Sequence, residues 1–422
     1  MTSRHSAIIW CALASACGTT HITDAASDGA TIVDAHDVTA ATDVRDVPTS
    51  SDVPFGTDVP PTPDASDAAT APTTWVMGYY AGYQRDLYPP ASVDFTALTH
   101  LAVGPVVPHA DGTLDTTFDI DATNGPILAR DLATRAHAAG RRAILMIGGA
   151  GAHAGWVAAA SASTRATFVT NLLALMHDYH YDGLDLDWEP VDAADQPALQ
   201  SLAQTLRTME PSIVLTIPVG YINANAPGSL GFYGTIAPLF DQVNLMTYGM
   251  AGAWSGWQSW HSSAVQGESG TTPTSLASSV TAYLAAGVPA ARLGVGIGFY
   301  GSCWSTPVTA PRQNIGASTI VADDNTMSFT NIMARYYSSA AYHYDMAADA
   351  PSLTFASAHG PQNCTWVSYE DAASIAAKGR FVHDHHLGGT IIWTVNEGHV
   401  PTAPTGMQDP LLAAVRAAFL TP

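Results

Sequence analysis

Downstream of residue 74, eight short runs of β-forming, mostly apolar residues recur along the chain. They are Trp75–Tyr80, Leu98–Val103, Ala143–Gly149, Gly183–Glu189, Ile213–Pro218, Gln242–Tyr248, Leu293–Gly298 and Gly389–Thr394. Amphipathic stretches separate several of them, at Ile127–Ala139, Ser163–Tyr179, Ala194–Met209 and Leu276–Ala286. Strands that alternate with helices predict a parallel sheet covered by helices. Eight such units over about 350 residues predict an α/β fold, a (β/α)8 TIM barrel with loop insertions. An open doubly wound sheet is the competing architecture. It usually carries a Gly-rich phosphate loop after its first strand, and none follows Trp75–Tyr80. The stretch from Ser302 to about Leu387 is too long for one connecting loop. It predicts a small inserted subdomain and a final helix near Asp371–Val382.

The first 73 residues have a different texture. Arg4 and His5 precede the apolar run Ala7–Ala14. This run is too short to span a bilayer of ~30 Å and reads as part of a signal peptide over residues 1–17. Leu13-Ala14-Ser15-Ala16-Cys17-Gly18 resembles the bacterial lipobox, with its large aliphatic residue one place further upstream. That resemblance implies cleavage before Cys17 and a lipid anchor on it, hence an exported protein of the outer membrane or cell surface. Plain secretion is the alternative. Residues 18–73 are rich in Asp, Thr, Ala, Pro and Ser, with recurring phrases such as Ser51-Asp52-Val53-Pro54 and Thr57-Asp58-Val59-Pro60. Such a tract lacks the large apolar side chains that offset ordering entropy, and it predicts a disordered tether. From residue 74 to 422 the pattern predicts one domain.

Charge narrows the function. The 422 residues hold 36 acidic against 15 basic side chains, a formal net charge of -21. Nucleic-acid binding needs clustered Lys and Arg, so it is excluded as an expectation. A polybasic membrane surface is excluded likewise. Of the four cysteines, Cys303 and Cys364 lie far apart and fit no zinc-ligand spacing. In an exported protein they are candidates for a disulfide. The other reading is two small buried apolar residues.

The most informative segment is Tyr181-Asp182-Gly183-Leu184-Asp185-Leu186-Asp187-Trp188-Glu189-Pro190. Side chains alternate along a strand, so Asp185, Asp187 and Glu189 share one face, about 6.6 Å from one to the next. Leu184, Leu186 and Trp188 take the other face, where helices cover them. The acids therefore point into the barrel interior, where a structural strand would carry Val, Ile or Leu. Three like charges in a confined site cannot all ionise cheaply, so at least one pKa must rise. A carboxyl raised toward neutrality is what a general acid needs. Glu189 is nearest the C-terminal rim, where barrel enzymes place their chemistry. A calcium site would draw its oxygens from an irregular loop instead, and a solvated edge strand would not bury Leu and Trp behind it.

Asp182-Gly183-Leu184-Asp185-Leu186-Asp187-Trp188-Glu189 resembles the DGxDxDWE signature of family 18 glycoside hydrolases, the chitinases and their relatives. Gly78-Tyr79-Tyr80 resembles the family's first strand, and Leu98-Thr99-His100 its second. Met246-Thr247-Tyr248 resembles the sixth, Gly296–Gly301 the seventh, and Trp393 matches the tryptophan of the eighth. Ser302–Leu387, with Tyr369-Glu370-Asp371, resembles a short form of the family's α+β insertion between strands 7 and 8. The resemblance implies a family 18 domain over residues 74–422 that cleaves β-1,4 bonds next to N-acetylglucosamine with retention. The substrate's acetamido group is then the nucleophile, an exception to the two-carboxylate scheme. It implies Glu189 as acid and base, Asp187 as the partner of the acetamido N–H, Asp185 as the group that tunes Asp187, and Tyr248 as the holder of the acetamido oxygen. It implies Tyr79 as support for the acids and Trp393 as the floor of a sugar subsite, with Met246 beside them. Trp254, Trp257 and Trp260 follow the sixth strand at spacings of three. They are candidates to extend the sugar platform, or else a hydrophobic cap on their loop.

The sequence departs from the family's pattern twice. Met146 stands where the third strand usually carries Ser, and Met cannot donate a hydrogen bond to Asp185. Gly249 stands where the sixth strand usually continues with Asp. The lost charge should lower the Glu189 pKa and with it the pH optimum or the activity. His383, His385 and His386 cluster before the last strand and read as solvated imidazoles at a helix end. No cofactor or metal is expected. The expected partner is chitin or a chito-oligosaccharide, and the expected state is a monomer. The alternatives are an endo-β-N-acetylglucosaminidase acting on N-glycans, and a weakly active or inactive chitin-binding, lectin-like relative.

Overall fold

A computed structural model of the chain describes residues 74–421. The signal peptide, the Cys17 anchor and the tether expected over residues 1–73 lie outside the described residues.

Eight parallel strands close into a barrel: β1 (Trp75–Ala81), β2 (His100–Pro108), β3 (Arg142–Gly148) and β4 (Gly183–Asp187), then β5 (Val214–Gly220), β6 (Gln242–Met246), β7 (Leu293–Gly298) and β8 (Gly389–Trp393). Each strand pairs with its successor, and β1 pairs with both β2 and β8, so no barrel edge is left open. The alternation of each strand divides its side chains between two apolar layers. Val76, Leu101, Leu145, Ile147, Leu184, Leu186, Leu215, Val243, Leu245 and Val295 pack outward in the layer shared with the helices. Met77, Tyr79, Ala102, Ile144, Met146, Met246, Tyr248 and Ile391 fill the inside.

Helices cover the barrel for the reason their spacing predicts. In Gln196–Met209 the buried residues are Leu199, Leu202, Ala203 and Leu206, one stripe at intervals of three and four. Each such leucine contributes roughly 1.5–3 kcal/mol when removed from water. Helix Leu276–Ala285 begins at a reciprocal cap between Ser275 and Ser278, and helix Ala372–Asp384 begins at one between Asp371 and Ser374. Among the described residues no helix is long and apolar enough to cross a membrane.

Between β7 and β8 the chain builds an antiparallel sheet of five strands. Its order is Ile320–Ala322, Ser302–Trp304, Cys364–Ser368, Ala350–His359 and Tyr342–Asp345. Cys303 and Cys364 form a disulfide across it. Trp304, Trp366 and Ile315 of this sheet and its loops pack with Trp260 and Ala251 from the loop after β6. The insertion thus supports the rim beside the sixth strand.

Candidate active site

The three acids of β4 arrive at the barrel mouth in graded surroundings. Asp185 is fully buried and Asp187 is 3% exposed, while Glu189 is half-buried. The strand ends at Asp187, two residues earlier than its sequence pattern suggests. Trp188 N–H turns back to the Leu186 carbonyl at 3.0 Å, and the Glu189–Pro190 peptide is cis. Glu189 therefore sits on the first turn beyond the strand rather than on it.

Trp188 anchors that turn from outside. Its ring stacks on Trp156 with centroids 5.2 Å apart. The Trp156 indole N–H donates to the Asp187 carbonyl at 3.1 Å, and Gly149 N–H donates to the same oxygen at 2.7 Å. Gly148 makes this approach possible. A Cβ there would fall 2.1 Å from the Trp156 indole nitrogen, and its φ is +93°.

Asp185 is held by two hydroxyls. Tyr79 Oη donates to its Oδ2 at 2.7 Å, and Thr216 Oγ1 donates to its Oδ1. The register explains the second donor. Met146, Asp185 and Thr216 lie side by side on β3, β4 and β5. Met146 offers Asp185 no hydrogen, and Thr216 from the opposite neighbour does. The shortage of donors expected from Met146 is thereby corrected, because a donor can come from either adjacent strand. Thr216 has a signal in the sequence: it is the one polar residue at an inward position of the run Ile213–Pro218.

Burial pushes the Asp185 pKa up to about 6, against the pull of the Thr216 and Tyr79 hydrogen bonds. Asp187 rises well above the usual carboxylate range. Burial is the main cause, followed by the charges of Glu189 and Asp185 and by hydrogen bonding with Glu189. Burial also raises Glu189, and its hydrogen bonding with Asp187 works the other way. Asp187 Oδ1 is buried and has no protein donor. The cluster thus holds protons more tightly than free carboxyls do, and one Asp187 oxygen is left for a ligand's N–H.

The other predicted residues gather around these acids. Tyr79, Met246 and Tyr248 belong to one inner cluster, against which Trp393 packs. The Tyr79 and Trp393 rings lie 5.5 Å apart. Burial and the nearby charges of Glu189, Asp187 and Asp185 raise the Tyr248 pKa well above its usual value, so it stays a hydroxyl donor. Trp393 donates its indole N–H to Asp324 Oδ1 at 3.1 Å. Asp324 comes from the insertion and carries no sequence signal. Burial lifts its pKa to about 6, partly offset by that bond.

The tryptophans after β6 divide. Trp254 and Trp257 are half-buried and meet edge to face, with centroids 4.6 Å apart. Trp260 is fully buried, its N–H donates to the Thr274 carbonyl at 2.7 Å, and Arg312 lies over its ring. Trp260 is therefore the hydrophobic cap, not part of a platform. His383 and His385 lie at the end of helix Ala372–Asp384, where His385 stacks on Phe381. Among the described residues one group gathers ligand-type side chains closely, His153 at the start of the helix after β3 with Asp192 and Asp195 on the loop after β4. It is already satisfied internally, with His153 Nε2 2.9 Å from Asp195 Oδ2 and Asp192 N–H 2.9 Å from the same oxygen.

A closed parallel barrel with a graded acid cluster at its C-terminal rim defines a class of glycosidase-like proteins. The model of glycosyl hydrolases family 18 matches residues 75–398, and the chain belongs to that family. Over 268 residues it is 26% identical to chitinase A1 of Niallia circulans, covering 56% of this chain and 38% of that much longer protein. Over 336 residues it is 26% identical to chitinase 1 of Aphanocladium album, covering 72% of this chain and 77% of the relative. A crystal structure of the Group IV chitinase of Ostrinia furnacalis in complex with allosamidin superposes with a TM-score of 0.69 at 21% identity. That match covers 82% of this chain and 99% of the other.

Proposed function

We propose that the protein is a chitinase-type hydrolase that cleaves β-1,4-linked N-acetylglucosamine polymers or oligomers with retention. One observation carries the reading. Asp187 is a buried carboxyl whose pKa burial and the neighbouring acids raise, with one oxygen free of protein donors, directly beside a half-buried Glu189. An acetamido N–H supplies the missing donor.

Each residue then has a task. Glu189 gives its proton to the glycosidic oxygen as the bond to C1 breaks. The acetamido carbonyl oxygen attacks C1 and forms a cyclic oxazolinium-like intermediate. Asp187 accepts the acetamido N–H and stabilises the positive charge that develops there. Tyr248 donates to the acetamido oxygen and aims it at C1. Glu189, now ionised, takes a proton from water, which opens the intermediate and restores the original configuration. Trp393 offers an apolar face to the sugar, and Asp324 fixes the indole that presents it. Trp254 and Trp257 extend the apolar surface along the rim.

The test compares wild type and Glu189→Gln on a chito-oligosaccharide series and on a high-mannose glycoprotein. We expect wild type to shorten the oligomers and leave the glycoprotein intact. Glu189→Gln should lose about 10³-fold or more in kcat, the scale of a missing general acid together with its return as a base. Release of the N-glycan would instead make it an endo-β-N-acetylglucosaminidase. Equal binding of chito-oligomers by both proteins without turnover would make it a lectin-like relative.

A further inference from the structure

Behind the barrel wall lies a buried cation that the chemistry above does not use. Lys378, on helix Ala372–Asp384, is fully buried. Its ammonium donates to Ser263 Oγ at 2.6 Å, to the Gly296 carbonyl at 2.9 Å and to the Glu370 carboxylate. Glu370 is 2% exposed, and its other oxygen accepts from Ser374 Oγ at 2.6 Å. The network continues toward the sixth strand. Ser263 Oγ donates to the Thr247 carbonyl at 2.6 Å. Thr247 Oγ1 donates to the Gly296 carbonyl at 3.0 Å and accepts from Gly296 N–H at 2.8 Å.

The place of this network is telling. The ladder between β6 and β7 holds at Val243–Leu293 and Asn244–Gly294. Beyond it, the Thr247 side chain and the Lys378 ammonium join the two strand ends. Tyr248 follows Thr247 directly, and its ring rests on the bare backbone of β7. A Cβ on Gly296 would fall 2.8 Å from Tyr248 Cδ1 and from Thr247 N. The backbone on either side of the Tyr248 ring, at Thr247 and at Gly296, is thus tied to one ammonium. A buried ion pair is a poor source of stability, since apolar residues of similar size often do as well or better. Lys378 also loses basicity through burial, against the pull of Glu370. A fully buried pair of this kind is better accounted for by a role in positioning than by packing.

We propose that the Lys378–Glu370 pair is a positioning device for Tyr248. Through Ser263 and Gly296 it fixes the backbone that aims the Tyr248 hydroxyl at the acetamido oxygen. The proposal rests on the role given to Tyr248 in the hydrolase reading. Lys378 touches no substrate and is not a catalytic residue.

The test is a mutant cycle in the full chain, read in kcat and KM on chitotriose and in melting temperature. Lys378→Met alone would strand a buried carboxylate, so K378M/E370M removes both charges together. We expect this pair to lower kcat about tenfold with little change in KM, the effect of a misaimed group. In a Tyr248→Phe background, with no hydroxyl left to aim, the same pair should cost less than about twofold. Ser263→Ala cuts the link to Thr247 without touching the charges. It should lower kcat about threefold, again only while Tyr248 is present. If K378M/E370M does not fold, Ser263→Ala decides. Equal factors in both backgrounds, or a lower melting temperature with kcat unchanged, would overturn the proposal. If wild type shows no turnover, the hydrolase reading fails on its own, and the same cycle is read in Kd for chitotriose. Non-additive losses there keep the clamp, and additive ones remove it.

Discussion

Two groups of acids lie close to the Tyr79–Trp393 ring pair, and the protein treats them differently. Asp185, Asp187 and Glu189 come from one strand and its first turn. Asp185 receives two hydroxyl donors, and the surroundings grade the three groups from fully buried to half-exposed. Asp323, Asp324 and Glu397 come from the insertion and from the turn after β8. There Glu397 is fully buried, and neither of its oxygens has a donor. Burial and the charge of Asp324 raise its pKa well above the usual range. Gln84 and the Thr394 backbone lie near enough to soften that shift without reaching hydrogen-bonding geometry. Burial without donors thus raises a carboxyl's pKa on its own account. What sets the β4 group apart is that its two buried acids differ in donors, Asp185 holding two hydroxyls while Asp187 keeps one bare oxygen beside the more accessible Glu189. On the proposed reading, that difference lets Asp185 tune Asp187, Asp187 receive the substrate's N–H, and Glu189 deliver the proton.

Removing a donor should erase that distinction. Thr216→Val is nearly isosteric and deletes one of the bonds that hold the Asp185 pKa down. Asp185 should then stay protonated to higher pH and support Asp187 less. We expect kcat to fall about tenfold, and the acidic limb of the pH–rate profile to move upward. An unmoved acidic limb, measured from pH 4 to 8, would show that Tyr79 alone holds Asp185.

The second group should respond in stability rather than in rate. A carboxyl with a raised folded pKa stabilises most below its unfolded pKa, near 4.3, and that contribution is lost as pH rises toward the folded value. Glu397→Met removes both this penalty and two unpartnered oxygens. We expect a gain on the order of 2 kcal/mol at pH 7, a smaller gain at pH 4, and kcat within about twofold of wild type. Thermal melts at the two pH values check the sign. A loss of stability at pH 7 would mean that the Glu397 oxygens are satisfied in solution.

The same contrast marks what was legible in the sequence. The acids of β4 are readable because alternation on a strand is strict, and because Leu184, Leu186 and Trp188 declare the opposite face. The eight strands are readable for the same reason, each within about two residues of its pattern at most ends. Pairings made through register or through an insertion are not, even where one partner, such as Thr216, stands out as an inward polar residue. Thr216 became a partner of Asp185 when β5 fell beside β4, and Asp324 reached Trp393 from a loop with no periodicity. Trp260 shows the converse failure. Its spacing from Trp254 and Trp257 is regular, yet its loop is irregular, so equal spacing did not place the three rings on one surface.

The smallest expected effect concerns Gly249, just past the sixth strand, where the family's pattern carries an Asp. Its φ is +61°, in the left-handed region, which glycine adopts freely and other residues adopt at a cost of roughly 1–2 kcal/mol. Gly249→Asp therefore introduces strain and charge together. Gly249→Asn introduces the strain alone, since Asn tolerates this region about as well as Asp. A carboxylate placed near Glu189 disfavours its ionised form, so its pKa should rise further. Glu189 must be protonated to act as an acid, and activity is lost as pH climbs through that pKa. The basic limb of the pH–rate profile should thus move up by about half a unit in Gly249→Asp and stay in place in Gly249→Asn. Both variants should lose a similar amount of melting temperature. If both limbs move alike, backbone strain and not charge is what position 249 transmits to Glu189. The grading of the acids would then be set entirely by β3, β4 and β5.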